Sequence, residues 1–355
     1  MQRDPSKMRN KLKYLLWALA LFLVADAAAG IHLSYFEPRC YVLNKDPLTF
    51  PNHALIPSCR MKIRMGFRIF DLISNSLGMR DGEPRQVPLS TSKPRILLFG
   101  DSFTEGIALP WEETFAGILS SRLSPKAEVL NAGTAGSLPS VYVRKVQKLL
   151  QEGVKFDEAL VFLDTSDVFE AAGLPGDQFE YGAKTFGGKM AVVYVQVRAW
   201  VCHFFRYSCF AFAPFERIQA MQEPVYKGGL LLSAWISDEG LYREWGEKGL
   251  SICAADMEKL SQILSDAKIP LTVLVYPYPQ QIYERDYDSK YIRFWREWAA
   301  AHEGVKFVDL TPALTDIGPE ESIRTYYLPI DFHFSAKGHE RVARELEAAV
   351  FQNGF

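Results

Sequence analysis

Arg95-Ile96-Leu97-Leu98-Phe99-Gly100-Asp101-Ser102-Phe103-Thr104-Glu105-Gly106 is the stretch that decides how this chain folds. Residues 96–99 form a continuous apolar run, short enough for a strand buried on both faces. Gly100 permits a sharp turn after it. Asp101, Ser102 and Thr104 follow, and a helical pattern resumes near Trp111. A serine on a tight strand-to-helix turn presents its hydroxyl at the carboxyl end of a sheet, the edge where open α/β sheets bind ligands. Taken alone, Gly-Asp-Ser is more often a buried strand followed by a plain capping serine. The far end of the chain shifts that balance with Asp331-Phe332-His333-Phe334-Ser335-Ala336-Lys337-Gly338-His339. A nucleophilic serine needs a base, and the base needs an orienting carboxylate.

Working outward from residue 95, strand-like and helix-like patterns alternate. The first strand at 96–99 is followed by a helix over 112–123, with Phe115, Ile118, Leu119 and Leu123 on one face. A second strand spans 128–130, a tight loop 131–137 and a helix 141–151. The third strand covers 159–163. An insertion at about 168–249 comes next, dense in aromatics over 192–215, where Arg198, His203 and Arg206 argue against a second membrane span. A mostly helical covering subdomain fits it better. A helix over 250–267, a strand over 271–276, a helix over 290–302, a fifth strand over 305–310 and a terminal helix over 335–351 complete the pattern. This alternation implies a three-layer α/β/α fold, a flavodoxin-like parallel sheet with helices on both faces.

Composition narrows the function. Of 355 residues, 48% are hydrophobic, ample for a core, and the formal net charge is −2. That leaves no basic footprint for nucleic acid. No dinucleotide fingerprint, phosphate loop or zinc-protease helix motif occurs, and the cysteines Cys40, Cys59, Cys202, Cys209 and Cys253 lack metal spacing. No cofactor and no metal are expected. Among six histidines, His333 alone stands in a loop just before a helix and two residues after an acid. His339 falls inside the last helix, where a structural or exposed role is the default.

The Ser102 and His333 blocks together resemble the SGNH, or GDSL, hydrolase superfamily, over roughly residue 75 to the C-terminus. Asn75-Ser76-Leu77-Gly78-Met79-Arg80-Asp81 resembles a segment that often precedes the serine block in bacterial members. The resemblance implies Ser102 as nucleophile, His333 as base and Asp331 as its orienting acid. It implies an oxyanion hole from the Ser102 and Gly136 amides. Family members usually show Gly-x-Asn-Asp after the third strand, and this chain shows Asp164-Thr165-Ser166-Asp167. Ser166 stands at the asparagine position, as a shorter donor. Asp101, Tyr278 and Gln281, on the same rim, are candidate substrate contacts.

The N-terminus carries Arg3, Lys7, Arg9, Lys11 and Lys13 before an apolar run over 14–25 that Asp26 interrupts. Residues 1–31 read as a signal anchor, or as a signal peptide cleaved near Ala27. Either leaves the basic flank in the cytoplasm and exports the rest. The favoured location is the bacterial inner membrane with the catalytic domain in the periplasm or outside; the alternative is secretion. Residues 32–93 read as an irregular extension and polar linker, and 94–355 as the SGNH-like domain. Export permits a Cys40–Cys59 bridge. The expected activity is an esterase acting on O-acyl, foremost O-acetyl, groups of carbohydrate. One alternative is a polysaccharide O-acetyltransferase with the same triad; another is a degenerate domain that binds polysaccharide. Expected partners are the acylated carbohydrate, the membrane and envelope polysaccharide assembly proteins.

Overall fold

The computed structural model describes residues 5–36, 40–42, 54–65, 68–173, 197, 201, 231–328 and 332–351. The chain divides into two units: one contains the N-terminal helix Pro5–Phe36, and the other comprises Pro38–Gly176 and Glu223–Phe355. The strands are β1 (Tyr41–Val42), β2 (Ala54–Leu55), β3 (Arg60–Met65), β4 (Arg68–Ser74), β5 (Arg80–Asp81), β6 (Arg95–Phe99), β7 (Glu128–Asn131), β8 (Glu158–Leu163), β9 (Leu271–Val275) and β10 (Val305–Asp309). Every residue of β6, β8 and β9 is buried. Such strands need cover on both faces, and only a parallel sheet between helix layers gives it.

Strands β6 to β10 are mutually parallel in the order β10-β9-β8-β6-β7. Numbered from β6, this is the flavodoxin-like order 2-1-3-4-5. The chain steps from β6 to β7 in one direction and then back past β6 to β8. Right-handed crossovers put the connecting helices on opposite faces at such a reversal. Accordingly, helix Glu247–Asp266 packs on Pro139–Gln151, and the terminal helix Ala336–Leu346 packs on Phe115–Leu123. Leu250, Cys253, Met257, Leu260 and Leu264 make the buried stripe of the long helix, at alternating three- and four-residue spacing. Thr114 caps the helix Phe115–Leu123 by accepting from the Gly117 amide, so this helix starts later than the expected 112.

Residues 32–93 are not an irregular extension throughout. Strands β3 and β4 pair antiparallel, and β5 joins them to β7 through Arg80 and Asn131. The segment Arg60-Met61-Lys62-Ile63-Arg64-Met65 does alternate with period two, but half its residues are cations. The outward Arg60 and Lys62 meet Asp71 of β4 at 3.7 and 3.2 Å. A charged edge of this kind resists pairing with another chain. Arg95, fully buried, holds the linker down: its guanidinium meets Glu128 at 2.7 Å and donates to the Pro88 and Lys155 carbonyls.

The helix Pro5–Phe36 runs unbroken through Asp26. Its segment Asn10–Ile31 is apolar and 22 residues long, about 33 Å at the α-helical rise, enough for a hydrocarbon core of about 30 Å. Cys40 and Cys59 are disulfide-bonded, and Cys253 is free and buried. Apart from positions 197 and 201, the aromatic stretch expected to cover the cleft lies outside the described residues, as do Cys202 and Cys209.

His339 has a structural role. Its Nδ1 accepts the Phe115 amide at 3.1 Å, and its ring stacks on Phe115 inside the core. Burial holds the imidazole down, to about 3, whereas an unfolded histidine titrates near 6.5. Between these values the unfolded chain binds a proton that the native chain does not, so stability falls as the pH drops from about 6.5 towards 3. From pH 7 to pH 5 the loss from this group is about 2 kcal/mol. His339→Asn keeps an acceptor for Phe115 without titrating there. Chemical denaturation at the two pH values is expected to show a change in stability from pH 7 to pH 5 that is more favourable in this variant by about 2 kcal/mol; an unchanged difference refutes the assignment.

Candidate active site

Gly100 turns the chain between β6 and the four-residue helix Ser102–Glu105. A Cβ at Gly100 would lie 2.1 Å from Thr104 Oγ1, and one at Gly133 would lie 2.6 Å from Thr104 Cγ2. These positions take glycine because the backbone must approach so closely. Asp101 caps the short helix by accepting from the Phe103 amide at 2.9 Å. The loop after β7 is fastened to this turn by three bonds. Asn131 Nδ2 donates to the Thr104 carbonyl at 2.7 Å, the Thr134 amide to the Gly100 carbonyl at 3.1 Å, and the Ala135 amide to Glu105 Oε2 at 2.6 Å. Gly136 follows with φ +69°. Among the described residues, neither the Ser102 nor the Gly136 amide meets an acceptor.

The second element comes from 231 residues further on. Tyr327 and Phe334 form an antiparallel bridge, and the Leu328 amide donates to the His333 carbonyl at 2.9 Å. Ser335 then caps the terminal helix. The imidazole of His333 lies 4.8 Å from the Phe103 ring and stacks on Phe332 at 4.4 Å, between centroids. His333 Nε2 is 2.7 Å from Ser102 Oγ. An imidazole at that distance can take the hydroxyl proton. Asp331, the expected orienting acid, lies outside the described residues.

Beneath Ser102 sits a buried group of acids and tyrosines. Asp164, directly after β8, caps the helix Thr165–Ala171 in a reciprocal box with Asp167. Its Oδ2 accepts from Tyr276 at 2.8 Å and its Oδ1 from Tyr278 at 2.6 Å. The Tyr276 hydroxyl is also 3.4 Å from Asp101 Oδ1. Burial, then the neighbouring Asp164, pushes the Asp101 carboxyl well above the usual carboxylate range. Burial, with Asp101 and Asp164, does the same to Asp167, and burial with Asp164 pushes Glu170 up to about 8. Among the described residues no cluster of His, Cys, Asp or Glu is arranged to hold a metal.

This group corrects three expectations of substrate contact. Tyr278 is fully buried on Asp164, and Gln281 is 2% exposed, accepting from the Tyr278 amide at 2.8 Å and donating to Ser289 at 3.2 Å. Both belong to the start of a helix, Pro279–Glu284, rather than to an open rim loop. Asp101 is 3% exposed and acts as a cap. Ser166 Oγ is 3.5 Å from Asp101 Oδ2, a long contact that leaves its hydroxyl free to turn. Arg80 was not singled out by sequence, although its segment was. It is 1% exposed and donates to the Glu105 and Gly106 carbonyls at 2.5 Å, and to that of Leu109. It thus satisfies the carbonyls at the end of the serine helix. The signal available for it was an arginine beside an Asn-Ser-Leu-Gly turn.

No family model matches the chain, and no curated protein matches it. Solved structures do. One is a lipolytic protein of the G-D-S-L family from Veillonella parvula, at 13% identity and TM-score 0.38, covering 73% of this chain and 98% of that one. Another is a catalytic mutant of an acetylxylan esterase from Geobacillus stearothermophilus, at 17% identity and TM-score 0.38, covering 74% and 95%. A third is a GDSL-like lipase from Bacteroides thetaiotaomicron, at 10% identity and TM-score 0.39, covering 75% and 92%. This chain is similar to them in fold.

Tyr278→Phe tests the buried group. It leaves Asp164 Oδ1 with the Ser166 amide as its remaining donor. Removing one partner of a buried hydrogen bond costs about 1–3 kcal/mol. Urea unfolding of the variant is expected to fall in that range; a loss below about 0.5 kcal/mol, the usual size for an inert site, shows that the bond does not organise the loop.

Proposed function

We propose that this chain is an exported serine esterase that removes O-acyl, foremost O-acetyl, groups from carbohydrate. The observation that carries this reading is the 2.7 Å contact between Ser102 Oγ and His333 Nε2, at the carboxyl edge of a sheet where the strand order reverses. His333 takes the hydroxyl proton as Ser102 Oγ attacks the ester carbonyl. The oxyanion collects the Ser102 and Gly136 amides and the Ser166 hydroxyl. His333 then gives its proton to the leaving sugar oxygen, and an acyl-serine remains. Water, activated by the same imidazole, cleaves it. Asp331 is assigned the task of holding the imidazole tautomer. The rings of Phe103 and Phe332 limit rotation of the base.

Export is supported by the apolar helix with its basic flank and by the Cys40–Cys59 disulfide, a bond of oxidising compartments. The carbohydrate class is supported by that compartment and by the motif resemblance. Hydrolysis of a small aryl acetate by the full chain in detergent provides the test, with Ser102→Ala as the blank. His333→Ala is expected to approach the blank, and Asp331→Asn to lower kcat by about 10⁴-fold. Wild type no faster than Ser102→Ala, on this ester and on O-acetylated polysaccharide, overturns the proposal. Acyl transfer to an added alcohol in preference to water makes the chain a transferase. Absence of any acyl-Ser102 makes it a binding domain.

Ser166→Ala separates the third donor. Its contact with Asp101 Oδ2 is long, at 3.5 Å, so its hydroxyl can realign on the transition state. The expected loss is in kcat, of order tenfold or more and short of the 10²–10³ of a fully aligned donor, with KM little changed. Equal kcat values exclude Ser166 from the oxyanion hole.

A further inference from the structure

Glu105 is fully buried three residues after Ser102. Both of its carboxylate oxygens are engaged, by groups from distant parts of the chain. Oε2 accepts the Ala135 amide at 2.6 Å, next to Gly136. Oε1 accepts the Tyr41 hydroxyl at 2.5 Å, next to Cys40. A carboxylate only accepts, so it joins two donors that have no reason to meet otherwise. Burial, then Glu105 itself, raises the Tyr41 hydroxyl far beyond its usual range, so it stays a donor.

Tyr41 packs against the small cluster of Cys40, Leu55 and Leu72, and one covalent bond ties its neighbour Cys40 to the sheet. Strand β1 pairs with β2 over two residue pairs, and short pairings of this kind are marginal alone. The Ile56 amide donates to the Cys40 carbonyl at 2.7 Å, and the Cys40 amide to Met61 Sδ at 3.4 Å. Cys59, in contrast, is built into the sheet: its amide donates to Ser74 Oγ at 3.0 Å and its carbonyl accepts the Ser74 amide at 2.9 Å. The disulfide therefore ties a weakly paired hook to a firm element.

We infer that Glu105 is a positioning residue linking the Cys40–Cys59 disulfide, through Tyr41, to the Gly136 loop, so that the oxyanion site is fully assembled only in the oxidised, exported chain. The inference rests on the esterase reading for its catalytic consequence. In the cytoplasm the two thiols stay reduced. Outside, thiol–disulfide exchange with a disulfide donor forms the bond, and two electrons and two protons leave the chain for that donor. The loop of Tyr41 then closes on Glu105, and Glu105 sets the Ala135–Gly136 amides. An esterase assembled in this order spares acyl esters inside the cell that made it.

The experiment compares six chains in detergent: wild type, Tyr41→Phe, Cys40→Ser/Cys59→Ser, the combination of these three changes, Glu105→Gln and Glu105→Ala. The double cysteine variant replaces chemical reduction because Cys40 is buried. Two readouts are taken, kcat and KM on the aryl acetate, and amide hydrogen exchange of the peptide 131–138 by mass spectrometry. The expected result is a kcat lowered about five- to tenfold in Tyr41→Phe and in the cysteine variant, as for a weakened hydrogen bond to a charged group. KM stays within about twofold, and exchange at residues 135 and 136 is faster. The triple change is expected to lose no more than the cysteine variant alone, because one relay is broken once. Glu105→Gln, which keeps an acceptor for Ala135, is expected to exceed Glu105→Ala in kcat. Unchanged exchange in Tyr41→Phe, or losses that multiply, overturns the relay. A wild type without Ser102-dependent hydrolysis refutes the esterase reading instead, and the exchange result still decides the relay.

Discussion

The close approach of Gly100 and Gly133 to Thr104 is the constraint on which the site depends. The helix Ser102–Glu105 is four residues long and cannot hold itself together. It stands because backbone presses on both sides of Thr104, at distances no side chain would allow. Its amino end is capped by Asp101, and its carboxyl end is closed by Arg80. Asn131 and Glu105 then fasten the neighbouring loop to it. Ser102 is therefore fixed by contacts from β5, β6 and the loop after β7, not by its own helix. A serine whose backbone is held from three directions loses little further freedom in keeping its 2.7 Å contact with His333 Nε2.

Much of this was legible in the chain, for identifiable reasons. The run over 96–99 could only be a doubly covered strand, and the alternation after it left few topologies once right-handed crossovers were required. Ser102 and His333 were visible because each sits at a boundary between periodic segments. The hairpin of β3 and β4 was hidden because arginine and lysine occupy its outer face, so its period-two apolar positions carry little weight on any hydropathy reading. Tyr278 and Gln281 were misplaced for a different reason. Both lie in the segment directly after a strand, where an open rim loop is the default, but Pro279 occupies the first helical position, where it favours a helix start. The tyrosines then turn inward because Asp164 needs donors, and a capping acid after β8 could not be told from sequence to face them.

Glu170, Asp101 and Asp167 act on stability with the opposite sign to His339 of the terminal helix. Glu170, held up to about 8, keeps its proton in the native chain where the unfolded chain has lost it, above about 4.5. Over that window the native state binds more protons, so its contribution to stability falls as pH rises. Asp101 and Asp167 are shifted in the same direction by the same causes. His339 works the other way, weakening the fold as pH drops below about 6.5. The two effects overlap between about 4.5 and 6.5, where each opposes the other. A fold with both kinds of buried group has a flatter dependence on mild acid than either alone would give. Glu170 also remains largely neutral there, so the cost of burying it is correspondingly lower.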